Sequence, residues 1–346
     1  MTVLETPEAP AAEPVLCVEA VVTSVEQLCP SFRRIGLAGP ELARLSPALL
    51  GAGERTRCRD AYIKLLVPPP GREPQRADLS LGLREGWFAR PAEERGWMRT
   101  YTVRGVRRTT FCGMVVPELV IDVVVHEGHG QEGPGSRWAA AVTGGERVYL
   151  LGPGPQERPW AAWDHGGARR VLAVGDETAA PALMSVAEEF AEEVGGQRAG
   201  GARPRLDVVL EVPHPEDARA HRLPAELPDV RLHVLPRSGG ADGPAGHGHR
   251  AAGRLADLLG LPGRSVSEVL AGRRPERTRA LALAEDPAEP RAWSVAAPVR
   301  EDAPYVFLAG ESGTVRALRR LCVDAAGIPK EHVSFMGYWR RGQAES

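Results

Sequence analysis

The chain has 346 residues, a length typical of about two domains, and 43% of them are hydrophobic, which is enough for a sizeable core. Its 43 basic and 45 acidic residues nearly cancel. This balance, with no basic tail, argues against a polyanion-binding protein, so nucleic acid is not an expected partner.

The cysteines and the N-terminal residues indicate the compartment. Five cysteines occur, and none forms a Cys-x-x-Cys pair, which argues against a disulfide framework and against a zinc or iron–sulfur site. Residues 1–14 are acidic and rich in Pro and Ala, without the basic start and apolar run of a signal peptide. No apolar run is long enough to span a bilayer. We expect a cytoplasmic protein without membrane insertion, preceded by a disordered lead-in over residues 1–14.

The first half of the chain has the pattern of short strands. Apolar, Val-rich runs separated by turn residues predict strands at 15–25, 32–37, 61–67, 99–104, 119–125 and 147–151. A polar insertion over 71–98 interrupts them. Several short strands at such spacing predict a small antiparallel β-barrel.

After residue 165, short apolar runs alternate with helical segments. Strands are predicted at 170–174, 206–212, 230–235 and 305–309, and helical segments at 181–194, 255–261 and 314–326. Such alternation predicts βαβ units and a parallel sheet. The expected loops are 238–250 and 271–304. We therefore divide the chain into the lead-in, a barrel domain over 15–160, and an α/β domain over 161–346 that ends in an aromatic tail.

The most informative segment is Arg-Thr-Tyr-Thr-Val-Arg at residues 99–104. A flavin needs a rigid guanidinium fork for its pyrophosphate, a ring that packs on its flat heterocycle and a hydroxyl at its edge. Arg99, Tyr101, Thr102 and Arg104 are therefore candidate flavin-binding residues. The alternative interpretation is an ordinary half-buried strand with surface arginines.

A glycine-rich segment lies at residues 126–139. Gly133 and Gly135 allow the backbone to approach a ligand closely. A helix that starts at Ser136 would direct free N–H groups at an anion. The alternative is a glycine-rich turn with a helix N-cap. The histidines of the glycine-rich loops, at 126, 129, 247 and 249, have no carboxylate or thiol at a familiar ligand spacing, so no metal site is predicted.

Two segments of the second half also suggest a binding site. Gly175, Asp176, Glu177 and Thr178 form a strand-to-helix junction, where cofactors bind in open α/β sheets. A Gly-x-Gly-x-x-Gly fingerprint is missing here, so a turn without a ligand is the alternative. Near the C-terminus, the aromatic pair at 338–339 fits either a tail that covers the core or rings packed against a flavin.

The order of these segments resembles the siderophore-interacting protein family from about residue 15 to the end. The segments are RTYTVR, then Asp122 and His126 before GPGS-x-WA, then GDETAAPA, AGES-x₄-ALRR and GYWRRG. Members of this family are FAD-containing ferric-siderophore reductases. The chain departs from the family in having Ser312 where many relatives have Ala, and in having almost no lysine.

The resemblance implies a flavin-binding barrel followed by a nicotinamide-binding α/β domain, with FAD and NADH or NADPH as cofactors. It implies cofactor-binding roles for Arg99, Tyr101, Thr102, Arg104, Asp122, His126, Gly133, Gly135, Ser136, Trp138, Gly175, Asp176, Glu177, Thr178, Tyr338 and Trp339. The first four would hold the flavin ring and phosphates, and residues 175–178 would face the nicotinamide. Thr102 and Glu311 are the candidate catalytic residues.

The expected function is NAD(P)H-dependent reduction of Fe(III) in a ferric siderophore, which releases the iron. Two alternatives stay open at this point. One is a flavin-dependent reductase of the same fold that acts on an organic substrate in a biosynthetic pathway. The other is a non-catalytic binder of iron chelates.

Overall fold

The computed structural model describes residues 14–53, 55–56, 58–125, 133–195, 203–223, 227–239, 243–273, 293–294 and 303–342. Residues 1–13 of the predicted lead-in therefore lie outside the described residues. His126 lies outside them as well. Within the described residues, no helix is both long and apolar enough to cross a bilayer.

The first sheet closes on itself as a barrel. Its strands are β1 (Val15–Cys29), β2 (Phe32–Ala38), β3 (Arg55–Thr56), β4 (Tyr62–Val67), β5 (Trp97–Phe111), β6 (Met114–Val124) and β7 (Arg147–Pro153). Their order is β3-β5-β4-β7-β1-β2-β6, and a further pairing of β6 with β5, the second strand of this order, closes the sheet. The pairings are antiparallel, as predicted. Alternate residues such as Ile63 and Leu65 are fully buried in the barrel core.

The helices that accompany the barrel are short: α1 (Pro47–Leu50), α2 (Ala92–Arg95) and α3 (Pro134–Ala141). Residues of the insertion pack on the outside of the barrel around Trp87, which is fully buried against Leu66 and Met98. The guanidinium of Arg95 lies 5.9 Å from the Trp87 ring centroid. A segment predicted only as polar therefore has its own apolar cluster.

The second sheet is parallel except at one edge. Its strands are β8 (Arg170–Gly175), β9 (Arg205–Val212), β10 (Val230–Pro236), β11 (Trp293–Ser294), β12 (Tyr305–Glu311) and β13 (Val333–Trp339), in the order β10-β9-β8-β12-β13-β11. Only β11 runs antiparallel to its neighbour. The helices are α4 (Ala180–Gly195), α5 (Pro215–Ala220), α6 (His249–Leu259), α7 (Gly263–Leu270) and α8 (Ser312–Arg320).

Helices cover both faces of this sheet, because successive strand residues point in opposite directions. Val171 and Ala173 pack with α4 on one face, whereas Leu172 and Val174 pack with α6 and α8 on the other. The predicted fold class, a ferredoxin-reductase-like barrel followed by an α/β domain, is confirmed. The boundary at residues 160–161 stays a prediction.

Three local predictions differ from the structure. The aromatic tail is a sheet strand, β13, which pairs in parallel with β12. The helix expected only at 255–261 begins at His249, because Ala251, Ala252 and Leu255 all face the core. Helices α5 and α7 were not predicted, since each is only two turns or less and has few apolar residues.

Candidate functional site

The predicted flavin-binding segment lies in β5, directly under the first turn of α3. A Cβ atom placed on Gly135 would lie 2.3 Å from the Tyr101 hydroxyl and 3.4 Å from Cγ of Arg99. No side chain larger than hydrogen fits there without a shift. Burial raises the pKa of Tyr101, an effect that the positive charge of Arg99 opposes. The start of α3 thus lies against the side chains of Tyr101 and Arg99, and backbone amides close to an arginine are a combination that suits an anion.

The other side of β5 faces the second domain. Thr102 is buried, and it lies close enough to Tyr338 to oppose the rise in the pKa of that phenol. Tyr62 on β4 is directly opposite Thr102 in the sheet register. Burial, together with the nearby charge of Asp60, raises the pKa of Tyr338, so its hydroxyl is protonated at neutral pH.

A cleft of about 770 Å³ opens between β4, β5, the linker that follows the barrel, and β13. Its lining residues include Tyr62, Lys64, Thr100, Trp160, Met336 and Tyr338. The rings of Tyr62 and Trp160 lie 5.6 Å apart between centroids, and Lys64 Nζ donates to Thr100 Oγ1 at 3.2 Å. The volume is within the range of sites for small molecules and cofactors.

These features fit FAD. The cleft offers aromatic faces for a flat ring and hydroxyls at its edge, and the Gly135 cradle beside Arg99 suits a pyrophosphate. Arg99, Tyr101 and Gly135 are not among the residues that line this cleft, and the Tyr101 hydroxyl faces Gly135. The predicted contacts of Arg99 and Tyr101 with the flavin therefore stay predictions. Sequence reasoning missed Tyr62 and Trp160. Each is a single aromatic residue, one in a strand and the other in a linker, and nothing in the surrounding sequence indicates that it lines a cleft.

The remaining residues of α3 lie as follows. Gly133 is exposed and caps the helix, while Ser136 and Trp138 are half-buried. Trp138 packs against the barrel core near Tyr101. Their predicted contacts with the cofactor stay predictions.

Arg104 and Asp122 belong to an ion network between the two domains. Asp122 accepts two hydrogen bonds from Arg34, at 2.7 and 2.8 Å. Arg104 pairs with Glu188 of α4 at 2.7 Å and lies 4.0 Å from Asp122. Ser185 also donates to the Arg104 carbonyl. The carboxylates thus already engage Arg104, and its predicted phosphate contact stays a prediction.

The second half of the site lies at the carboxyl ends of β8 and β12. A Cβ on Gly175 would lie 2.5 Å from the Ala309 carbonyl oxygen, so only glycine fits between these strands. Asp176 follows and is buried. Its carboxylate accepts hydrogen bonds from the Thr178 backbone N–H at 2.9 Å, from the Glu311 N–H at 2.6 Å and from the Trp339 indole N–H at 3.1 Å.

Glu177 is turned away from solvent, and its carboxylate faces Arg237 and His247. Arg237, just after β10, donates to both of its carboxylate oxygens at 2.7 and 2.8 Å. Burial opposes ionisation of Glu177, but the hydrogen bonds and charge of Arg237 outweigh it, so the pKa lies below its usual value. Burial and the charge of Glu177 instead raise the pKa of Asp176, against the opposing effect of His247. The two predicted nicotinamide-facing carboxylates are thus engaged within the protein.

Glu311 caps helix α8. Its carboxylate accepts the Thr314 backbone N–H at 2.7 Å. Burial disfavours the charged form, but the N–H groups of Gly313, Thr314 and Arg341 outweigh burial and lower the pKa. Glu311 is therefore ionised at neutral pH and cannot itself donate a proton, although its predicted catalytic role stays a prediction.

Comparisons with known proteins agree with this arrangement. Residues 21–157 match the siderophore-interacting FAD-binding domain, and residues 168–342 match the siderophore-interacting protein family. The chain belongs to the siderophore-interacting protein family. The predicted family and an FAD-binding barrel are therefore confirmed.

Individual members of this family are similar over most of the chain. An uncharacterized protein of Mycobacterium tuberculosis is 27% identical over 97% of this chain and 93% of its own length. The ferric vibriobactin reductase ViuB of Vibrio cholerae is 26% identical over 77% of this chain and 73% of its own. The crystal structure of the siderophore-interacting protein SipS from Aeromonas hydrophila is 25% identical, with a TM-score of 0.53 over 94% of this chain and 92% of SipS.

Three further polar residues of this siderophore-interacting protein were not predicted as site residues: Glu211, Arg237 and His247. All are buried or half-buried at the same sheet edge as Asp176. Arg237 follows the end of β10 and Glu211 lies near the end of β9, positions where an α/β sheet places ligand-binding residues. Their location at the carboxyl ends of predicted strands is the feature of the sequence that could have identified Arg237 and Glu211 as site residues.

Proposed function

We propose that this protein is an NAD(P)H-dependent flavoenzyme that reduces Fe(III) in ferric siderophores and thereby releases the iron. One observation supports it most directly. Neighbouring residues of β13 reach both halves of the candidate site: Tyr338 lines the cleft, and Trp339 donates to Asp176 at the carboxyl ends of the parallel strands. A flavin in the cleft and a nicotinamide at these strand ends would therefore lie next to each other. The name of the relative ViuB gives independent support for ferric-chelate reduction.

The chemistry that bound FAD supplies is acceptance of one hydride from NAD(P)H and transfer of its two electrons, singly, to two ferric ions. The protein positions the groups. Arg99 and the first turn of α3 would hold the pyrophosphate, and Thr102 would hydrogen-bond the ring edge. Tyr62, Trp160 and Tyr338 would cover the ring and limit water. Fe(II) is less charge-dense than Fe(III), so hard oxygen ligands hold it less tightly and the chelate releases it.

The backbone turn at residues 175–178 would receive the nicotinamide. Thr178 is oriented by Asp176, which accepts both its backbone N–H and its hydroxyl, the latter at 2.5 Å. Ionised Glu311 near this turn would favour the positive charge that forms on the nicotinamide as the hydride leaves. No side chain in this scheme acts as a nucleophile.

An absorption spectrum of the purified protein, recorded before and after addition of NADH or NADPH without air, tests the flavin and hydride steps. Bleaching of a visible flavin spectrum is the expected result. Addition of a ferric catecholate or hydroxamate should then restore the colour, while a ferrous-specific chromogenic chelator reports two Fe(II) per NAD(P)H. If only organic acceptors restored the colour, a biosynthetic reductase would replace this proposal. Protein without flavin would favour a non-catalytic binder.

A further inference from the structure

His247 is a buried histidine with one engaged nitrogen and one unengaged nitrogen. It lies in the loop before α6, and its side chain is only 6% exposed. Its Nδ1 atom lies 3.2 Å from Thr314 Oγ1. Within the part of the chain that the structure describes, its Nε2 atom has no hydrogen-bond partner. A buried polar atom without a partner is costly, so this atom calls for a physical explanation.

Two buried carboxylates face that nitrogen. Asp176 Oδ2 lies 3.4 Å from Nε2, and Glu177 Oε2 lies 3.9 Å from it. The three ligand atoms all lie within 4.8 Å of one another. Ligands at 2.0–2.2 Å from one ion are separated by about 3.0 to 4.2 Å, with about 3.4 Å for a tetrahedral pair. One ion could therefore reach all three atoms after small shifts.

The groups around these ligands have the arrangement of an outer coordination shell. A histidine that binds metal through one ring nitrogen usually donates its other N–H to an oxygen, which Thr314 offers here. The ligand carboxylates are themselves oriented by hydrogen bonds, Asp176 by Thr178 and Glu177 by Arg237. The three proposed ligand side chains are all largely buried and held in place by neighbouring groups.

The local charge also favours a cation. Four buried carboxylates meet at this sheet edge, on Asp176, Glu177, Glu211 and Glu311. Among the described groups, Arg237 is the guanidinium that pairs with two of them, with contacts of 2.7 Å to Glu177 and 3.5 Å to Glu211. Excess negative charge is costly to bury unless a cation offsets it.

We propose that Asp176, Glu177 and His247 bind one divalent first-row transition-metal ion. Two carboxylate oxygens and one imidazole nitrogen suit Mn(II), Fe(II), Co(II) or Zn(II), whereas Mg²⁺ and Ca²⁺ prefer oxygen ligands alone. The site goes beyond the proposed reduction and needs neither the flavin nor the nicotinamide. The sequence conceals it because 70 residues separate His247 from the two acidic residues.

Calorimetric titration with Zn(II) and with Mn(II) tests the site, on the protein as purified after dialysis against a chelator. The expected result is one strong site per chain. His247→Ala should weaken it by at least about 100-fold, and Thr314→Val by about 10- to 100-fold, because only the outer shell changes. His233→Ala is the matched control, since His233 is paired with a single carboxylate, Asp207, at 3.1 Å. His249→Ala controls for binding to the neighbouring loop.

A spectroscopic measurement keeps the test independent of variants that fold poorly. The Trp339 ring lies 5.4 Å from the His247 ring, so paramagnetic Co(II) should quench its emission. The quenched fraction should disappear in Trp339→Phe. The proposal is overturned if no ion binds below millimolar concentration, or if His247→Ala binds as tightly as the natural protein. Quenching that persists in Trp339→Phe would also overturn it.

Discussion

Gly135→Ala should disturb the flavin half of the site through one methyl group. The new Cβ would lie 2.3 Å from the Tyr101 hydroxyl, far inside van der Waals contact, while its next neighbours lie at 3.4 and 3.5 Å. The half-buried ring packs against the barrel core, so either the ring or helix α3 must move. Overpacking of this kind costs about 1–3 kcal/mol. If the whole cost falls on the FAD-bound state, the affinity for FAD decreases by about 5- to 150-fold.

The assay is fluorescence titration of the apoprotein with FAD, with urea unfolding as a measure of stability. Gly253→Ala is the control, because nothing lies within 4 Å of a Cβ at that position, which lies in α6 of the second domain. In a Tyr101→Phe background the 2.3 Å contact no longer exists, so adding Gly135→Ala should cost much less. An unchanged affinity and stability in Gly135→Ala, or no recovery in the double variant, would refute the reasoning.

Three further predictions concern other parts of the site. Arg99→Ala removes the guanidinium that we assign to the FAD pyrophosphate. The loss of its charge-assisted hydrogen bonds, about 1.5–3 kcal/mol, should yield largely colourless protein. A fully yellow variant would contradict the assignment. Glu188→Ala leaves Arg104 with a 3.4 Å contact to Ser185 Oγ and the more distant Asp122. We expect about 1–3 kcal/mol less stability in urea with unchanged FAD content, and a loss below about 0.5 kcal/mol would disprove it. Ionised Glu311 stabilises the fold above its usual pKa, and this contribution disappears as the pH falls through the lowered value. The stability of Glu311→Gln should therefore depend less on pH below about 5, and equal acid sensitivity would exclude this origin.

The barrel and the parallel sheet could be predicted because their signals are local. Alternation of buried residues such as Ile63 and Leu65 along β4 is a property of six adjacent residues. Gly135 was also recognisable, since a glycine at the start of a helix often marks close contact. The nature of that contact, with the Tyr101 hydroxyl, depends on a strand that is more than thirty residues away.

The sheet edge could be predicted only in part. The turn at Gly175 has a strand-turn-helix pattern, but the groups that surround it come from three other elements. Arg237, His247 and Trp339 meet there because parallel strands bring their carboxyl ends to one side. Residue spacing within a single segment cannot predict contacts between segments that are far apart in the sequence. The ion pair between Arg104 and Glu188 could not be predicted for the same reason, because the sequence shows the sign of each charge but not which residue it pairs with.

Strand β13 has a consequence for mutagenesis between the two domains. Tyr338 lines the cleft, Trp339 donates to Asp176, and successive Cα atoms are about 3.8 Å apart. A substitution that displaces this strand would therefore disturb both places at once.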